Sequence, residues 1–457
     1  MIPCSKRRRR RLTPSDAAAA GGGGKNKMPS PDWSSLDGDL LDLIGQRVLA
    51  AGDLDDYVRL RAVCTHWAAS TATPRGRGVA DPRFHPRQWM MLPEGHGLYP
   101  GHPSLGGHLR FLNLSTGVIV TSPHLPLLLS DDHVILDSVD GLLLLHRDAD
   151  TAIRLLNPFT GDVTDLPPLD SLLPYIKPIG FRLRTDRSKR SALMQVRAAV
   201  AVAGGGVITV MLAFITLDRV AFAAAGDKRW TFSEYKLKHF LKPTSFQGKI
   251  YALQFTSFEI NKMYIYQFNQ PYDKGGLLHL DLPVKIGEAP MDKFIYLLNF
   301  AVCGSELLIV AYNGASPSKL LVYRVADLVN GKMEPVTSIG DHTLFINERC
   351  VCVSLSNNKE GISKSLPSIL HYSIICMHTL QVPASVDIAR FEQYDLGTSI
   401  WSPASDGDIF QAPPPSPHTL IHHIFTCCSH RYWNKGIMYC SKTDPSWLVK
   451  QDLRIGA

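Results

Sequence analysis

From about residue 111 onward the chain repeats one phrase: a glycine, an apolar run of four to six residues, a turn, and a second run with a polar end. DGLLLLH (140–146), GKIYAL (248–253), KMYIYQF (262–268), SELLIVAYN (305–313) and KLLVYRV (319–325) are examples. Gly141, Gly206, Gly248 and Gly304 open such phrases 65, 42 and 56 residues apart, near the size of a four-stranded blade with variable loops. No long helical pattern interrupts the series, which argues against alternating strand–helix architecture. The expectation is an all-β propeller over residues 111–440, of five to seven blades with little helix, followed by a C-terminal tail at 441–457.

Residues 33–72 have a different period. Asp37 is placed to cap a helix on which Leu40, Leu41, Ile44 and Val48 share a face at spacings of three and four. Gly45 inside it costs roughly 1 kcal/mol relative to alanine. Asp53 is placed to cap the next segment, with Asp56 three residues later. Tyr57, Leu60, Val63, Cys64, Trp67 and Ala68 then follow at helical spacing, up to a breaker at Thr73-Pro74-Arg75-Gly76. The Pro-, Gly- and Arg-rich stretch 73–110 reads as a linker. The fold class expected is therefore α+β multidomain, a small N-terminal three-helix module ahead of an all-β propeller.

Charge is concentrated at one end. Residues 1–32 hold eight basic side chains against two acidic ones, so this disordered basic tail carries nearly all of the net +7. The folded remainder is close to neutral and implies no nucleic-acid face. The run Lys6, Arg7, Arg8, Arg9, Arg10, Arg11 resembles a nuclear import signal, with a merely solvated tail as the alternative. Location in the nucleus or cytoplasm is expected: no apolar leader segment precedes the nine scattered cysteines, so reduced thiols follow. The uncharged stretch Ala198–Leu217 is long enough to span a membrane, but Gly204, Gly205 and Gly206 sit in its middle. Two buried strands joined by a glycine turn explain it better, and no membrane partner is expected.

The segment WSSLDGDLLDLIGQRVLAAGDLDDYVRLRAVCTHWAAST (33–71), with its early leucines and the ending RAVCTHW (61–67), resembles an F-box. The phrases FLNLSTG (111–117), IRLLNPFTGDVTDLPPL (153–169), GDKRWT (226–231), LFINERCVCVSL (344–355) and LPSILHY (366–372) look like the plant F-box family with a C-terminal Kelch-like β-propeller of unknown function. Two departures stand out: Leu36 is followed by Asp37 where F-boxes usually have proline, and the late phrase reads Cys350-Val351-Cys352-Val353. The resemblance implies a substrate-recognition subunit of a Skp–cullin–F-box E3 ubiquitin ligase. In that role the F-box docks a Skp-type adaptor, and through it a cullin–RING ligase, while the propeller binds an unknown protein substrate. By residue match the adaptor-binding candidates are Leu36, Leu40, Leu41, Ile44, Leu54, Tyr57, Val63, Cys64 and Trp67, although Val63 and Trp67 have the alternative of packing between the helices. A forty-residue helical module is too small to stand on its own core, which independently calls for a covering partner.

Catalytic chemistry has no footing in the sequence. There is no GxSxG, HExxH, P-loop or GxGxxG pattern, so no enzyme, catalytic residue or cofactor is expected. His418, His422, His423, Cys427, Cys428, His430 and Cys440 lack the paired short spacings of a zinc site. Cys350 and Cys352 share one strand face, as expected of a core strand and less so of a ligand pair. Metal ligands are not expected. The competing readings are an F-box-derived propeller binding protein without ligase activity and, further off, a propeller enzyme.

Overall fold

The computed structural model describes residues 32–403, except residue 52 and residues 93–106, 115–117, 129–132, 148, 177–184, 195, 203–205, 215–216, 218, 234–239, 256–261, 270–281, 291–296, 313–319, 341, 347–349, 355–372 and 382–386. The basic run Lys6–Arg11, the phrase at 366–372, the C-terminal His/Cys group and the tail at 441–457 lie outside the described residues.

Three helices open the described chain: α1 (Gly38–Ala50), α2 (Leu54–Arg61) and α3 (Thr65–Ala69). Asp37 caps α1, accepting from the backbone N–H of Asp39 and Leu40, and Asp53 caps α2, accepting from that of Asp56. The apolar period beyond Asp53 does not run through one helix. Cys64 adopts extended backbone and its thiol accepts the N–H of Trp67, so the chain stops at Arg61 and restarts as α3. Tyr57 and Val63 therefore face different ways.

The β region begins with a three-stranded leading sheet, β1 (Trp89–Met91), β2 (Arg110–Asn113) and β3 (Ile119–Thr121). Five blades follow. The first is β4 (His133–Val139), β5 (Leu142–Arg147), β6 (Ile153–Leu156) and β7 (Val163–Leu166). The second is β8 (Val196–Val202), β9 (Ile208–Phe214), β10 (Arg219–Ala224) and β11 (Thr231–Phe232). The third is β12 (Phe240–Phe246), β13 (Lys249–Phe255), β14 (Lys262–Phe268) and β15 (Val284–Pro290), and the fourth is β16 (Leu297–Cys303), β17 (Glu306–Tyr312) and β18 (Leu320–Arg324). These four are antiparallel meanders.

The fifth blade breaks the pattern. Its strands β19 (His342–Ile346), β20 (Cys350–Ser354), β21 (Ser373–Gln381), β22 (Asp387–Asp395) and β23 (Ile400–Pro403) lie in the order β20-β19-β21-β22-β23, with β19 and β21 parallel. The chain enters this blade one strand out and turns inward, so β20 takes the inner place beside β16. The inner strands β4, β8, β12, β16 and β20 thus neighbour one another in turn. Two short helices, α4 (Asp186–Met194) and α5 (Val325–Val329), sit in connections and leave the all-β character unchanged.

The four phrase-opening glycines occupy one equivalent position, the turn between the first and second strands of blades one to four. Gly141, Gly206, Gly248 and Gly304 all have φ between 60° and 79°, a region that a side chain disfavours. In two of these turns the preceding residue, Asp140 or Gln247, also has positive φ, which matches the turn to the twist of its hairpin.

Burial on both faces explains the unbroken apolar runs. In β5, Leu143 and Leu145 pack toward the leading sheet, while Leu142 and Leu144 pack toward the second blade. Each fully buried leucine contributes about 1.5–3 kcal/mol. All seven residues of β9 are buried: Val210 and Leu212 face blade one, and Met211 and Ala213 face blade three. The uncharged stretch from Ala198 is accordingly antiparallel β8–β9 within a stack of sheets, as expected. Among the described residues no helix is long and apolar enough to cross a membrane. Polar stitches join the blades. Asp137 accepts the N–H of Ala198, Ser245 accepts that of Val200, and the indole of Trp230 donates to Pro167 O at 2.6 Å.

Two expectations need correction. Residues 73–110 are not a free linker: they contain a 3-10 turn at Pro82–Phe84, strand β1 and the start of β2, with Val79 and Phe84 buried. The thiols are not all reduced, because Cys303 and Cys352 are joined in a disulfide. Side-by-side inner strands β16 and β20 bring their Cα atoms within 5.4 Å, a relation invisible across 49 residues of sequence.

Candidate docking face on the N-terminal helices

The helical module has one face turned into the protein and one turned out. Leu41, Gly45 and Leu49 of α1 point inward, as do Leu54 and Tyr57 of α2. Leu40, Leu43 and Ile44 of α1 are 50%, 54% and 41% exposed. Val58 of α2, Val63 before α3 and Trp33 ahead of α1 are exposed as well. Apolar side chains at i, i+3 and i+4 on an outer helix face gain nothing from this chain's own core, and such a face is the mark of a partner surface.

The nine residues singled out from the sequence therefore separate. Leu40, Ile44 and Val63 stand exposed; Leu36, Cys64 and Trp67 are half-buried; Leu41, Leu54 and Tyr57 are buried and offer no surface in this arrangement. The half-buried residues hold the module's entrance together. The Trp67 indole donates to Trp33 O at 2.9 Å, and His66 Nε2 meets Leu36 O at 2.8 Å. Asp37 supplies a side-chain cap where the resembling family has proline, so this departure leaves the start of α1 well formed. Leu43, Val58 and Trp33 were not among the candidates. For Leu43 a signal existed, since it lies three residues after Leu40.

The inward face does not close on the helices alone. Leu49, Leu54, Tyr57 and Phe84 form one cluster against which Phe159, from the turn after β6, packs. The Tyr57 and Phe84 rings lie 5.9 Å apart, and the Tyr57 hydroxyl donates to Ala72 O at 2.7 Å. Phe159 also meets Trp89 at 5.3 Å and Phe111 at 5.0 Å, so one ring joins the helical core to that of the leading sheet.

Hydrogen bonds between two side chains and the backbone fix the same junction. Asp162 accepts the N–H of Gly76 at 2.9 Å and of Gly78 at 2.7 Å, and the Asn157 amide donates to Gly78 O and Phe84 O at 2.7 and 3.0 Å. Gly78 is required: a Cβ there would fall 2.1 Å from Thr160 Oγ1. The motif NPFTGD (157–162), part of one of the phrases that carry the family resemblance, is thus the clamp that seats the helices on blade one.

Burial shapes the titration of this junction. His85 is buried, its Nε2–H donates to Val79 O at 2.8 Å, and desolvation lowers its pKa to about 4. Burial likewise raises the Asp53 carboxyl and the Tyr57 hydroxyl. A second chemically distinct cluster lies between blades four and five, where Cys303, His342 and Cys352 place their donor atoms within 4.8 Å of one another.

In sequence, residues 111–366 match the KIB1-4 beta-propeller family. The chain belongs to that family. The match covers more than half of the chain, starting within β2 and ending ahead of β21, so the helical module lies outside it. No protein with a curated description matches the sequence. Among solved structures, puromycin hydrolase aligns at 10% identity and a TM-score of 0.29, over 72% of this chain and 53% of that one. A chain of a nidogen/laminin complex aligns at 12% and 0.26, over 71% and 92%, and an exo-β-1,3-galactanase from Phanerochaete chrysosporium at 10% and 0.24, over 62% of each. The chain spans about half the length of the puromycin hydrolase. These alignments are too loose to speak to what this member of the KIB1-4 family binds.

Proposed function

We propose that this chain is the substrate-recognition subunit of a Skp–cullin–F-box ubiquitin ligase in a plant. The helical module acts as the F-box and docks a Skp-type adaptor, while the propeller holds a protein target. The observation that carries the reading is the exposed stripe Leu40–Leu43–Ile44 on α1, beside Val58 and Val63, in a segment whose sequence ends in the F-box-like RAVCTHW. An apolar face of this kind is the half of a divided core that a partner completes.

The chain contributes proximity rather than bond chemistry. Holding a target near the ubiquitin-charged enzyme raises its effective concentration. The seating of the helices on blade one supports this role, because a fixed angle between adaptor and propeller sets where the target sits. No nucleic acid or membrane partner enters the scheme. The basic run at residues 6–11 would direct part of the protein to the nucleus.

A second reading is a binding protein descended from F-box proteins without ligase activity. It is favoured by the burial of Leu41 and by Leu54 and Tyr57 being committed to a core shared with the propeller. Reconstitution separates the two. Full-length protein mixed with a Skp-type adaptor and a cullin–RING scaffold should co-elute as one complex under the first reading, and elute alone under the second.

A further inference from the structure

Cys303 ends β16, His342 opens β19, and Cys352 lies in the middle of β20. The three converge at the seam between the fourth and fifth blades, with donor atoms within 4.8 Å of one another. The geometry points to a zinc site in the reduced protein, Cys303 Sγ, Cys352 Sγ and His342 Nε2 being the ligands.

The disulfide uses only two of these groups and gives no role to the imidazole beside it. The imidazole is oriented as a ligand would be. Its Nδ1 lies 3.1 Å from Ile339 O, so Nδ1–H donates to that carbonyl and Nε2 keeps its lone pair. Gly304 and Gly340, with φ of 60° and 63°, flank the imidazole, and a Cβ built on either would meet its ring atoms only at ordinary van der Waals distance, 3.7–3.9 Å. Cys303 is buried in the cluster that holds Leu308, Leu344 and Ile346, a dry setting that strengthens metal–thiolate attraction.

Two thiolates and one imidazole suit zinc, at about 2.3 Å to sulfur and 2.0–2.1 Å to nitrogen. A tetrahedral ion would have its fourth position left for water. Disulfide and zinc site are two states of one staple across the seam, since both use the same sulfurs. A thiol or phosphine reductant supplies the two electrons that open the S–S bond, the sulfurs take up two protons as thiols, and both protons leave when zinc binds the two thiolates and takes over the bridging. Because each ligand comes from a different strand, binding should also stabilise the late blades.

The test is zinc content and cobalt(II) absorption of the full-length protein, reduced with a phosphine, loaded with the metal and desalted. Wild type should hold one equivalent more zinc than Cys303→Ser, Cys352→Ser and His342→Ala, and Cys350→Ser should match wild type. Measuring the difference removes any zinc held by the C-terminal histidines and cysteines. Cobalt should give a thiolate charge-transfer band that weakens in both serine variants. Half-buried His342 is the variant least prone to misfolding, so a failure of Cys303→Ser to fold leaves the test intact. Equal zinc in wild type and His342→Ala, or no thiolate band with cobalt, overturns the proposal.

Discussion

Gly45→Ala tests the junction between helices and propeller, because two effects of opposite sign meet there. Alanine for glycine inside a helix ordinarily stabilises by about 1 kcal/mol. At this position the new Cβ would lie 2.9 Å from Tyr57 Cε2 and 3.4 Å from Thr71 Cγ2. The tyrosine ring cannot swing aside freely. It is 1% exposed, rests against Phe84, and is anchored by its hydroxyl on Ala72 O. Overpacking of this sort costs about 1–3 kcal/mol, and dragging the hydroxyl off its acceptor adds about 1–3 kcal/mol for a buried unsatisfied group. The net expectation is a destabilisation of about 1–5 kcal/mol, read as a lower urea midpoint of the transition that reports on α1 and α2. In a Tyr57→Leu background the contact is gone and the same substitution should stabilise. A midpoint that rises in the wild-type background would refute the packing described here.

Three further outcomes follow from the same structure. Phe159→Ala should cost about 2–3 kcal/mol, below the full-burial range because the ring is only partly buried, and should speed hydrogen exchange in α1 and α2 although neither helix is altered; unchanged exchange there would mean the module stands alone. His85 holds its neutral form with a pKa near 4, against 6.5 when unfolded, so its contribution is complete above pH 6.5 and is lost as pH falls toward 4. At most about 3 kcal/mol is involved, and His85→Gln should flatten the decline in urea midpoint between pH 7.5 and pH 5; an equally steep decline in the variant would dismiss this cause. Leu41→Ala should destabilise by about 2–5 kcal/mol while Leu40→Ala leaves the midpoint nearly unchanged, so equal effects would show that the two faces of α1 have been exchanged.

Much of the blade pattern was legible because it depends on local chemistry. Gly141 and Gly248 announce turns that need positive φ, and the run 142–145 announces a strand covered on both faces. The caps Asp37 and Asp53 were readable for the same reason. What escaped depends on partners distant in sequence. Phe84 and Gly78 looked like linker residues, because nothing near them reveals Asn157 and Asp162 on the facing turn. Gly45 looked like a flaw in a helix until Tyr57 was placed beside it. Periodicity predicted one face through Tyr57 and Val63, but α2 ends at Arg61, between them, and this divides that face into core and surface. Cys303 and His342 carried no spacing signal, since their meeting is made by the reversed entry into the fifth blade.

Under the proposed function, the outer face of α1 receives a Skp-type adaptor. Titration calorimetry of the full-length protein with a purified adaptor addresses it directly, with Leu40→Ala plus Ile44→Ala as the matched variant. Wild type should bind saturably and one-to-one, and the double variant should bind at least about a hundredfold more weakly, equivalent to about 2.7 kcal/mol. The variant should keep wild-type circular dichroism, because both residues lie outside the core. Absence of binding by wild type, or equal binding by the double variant, would contradict it.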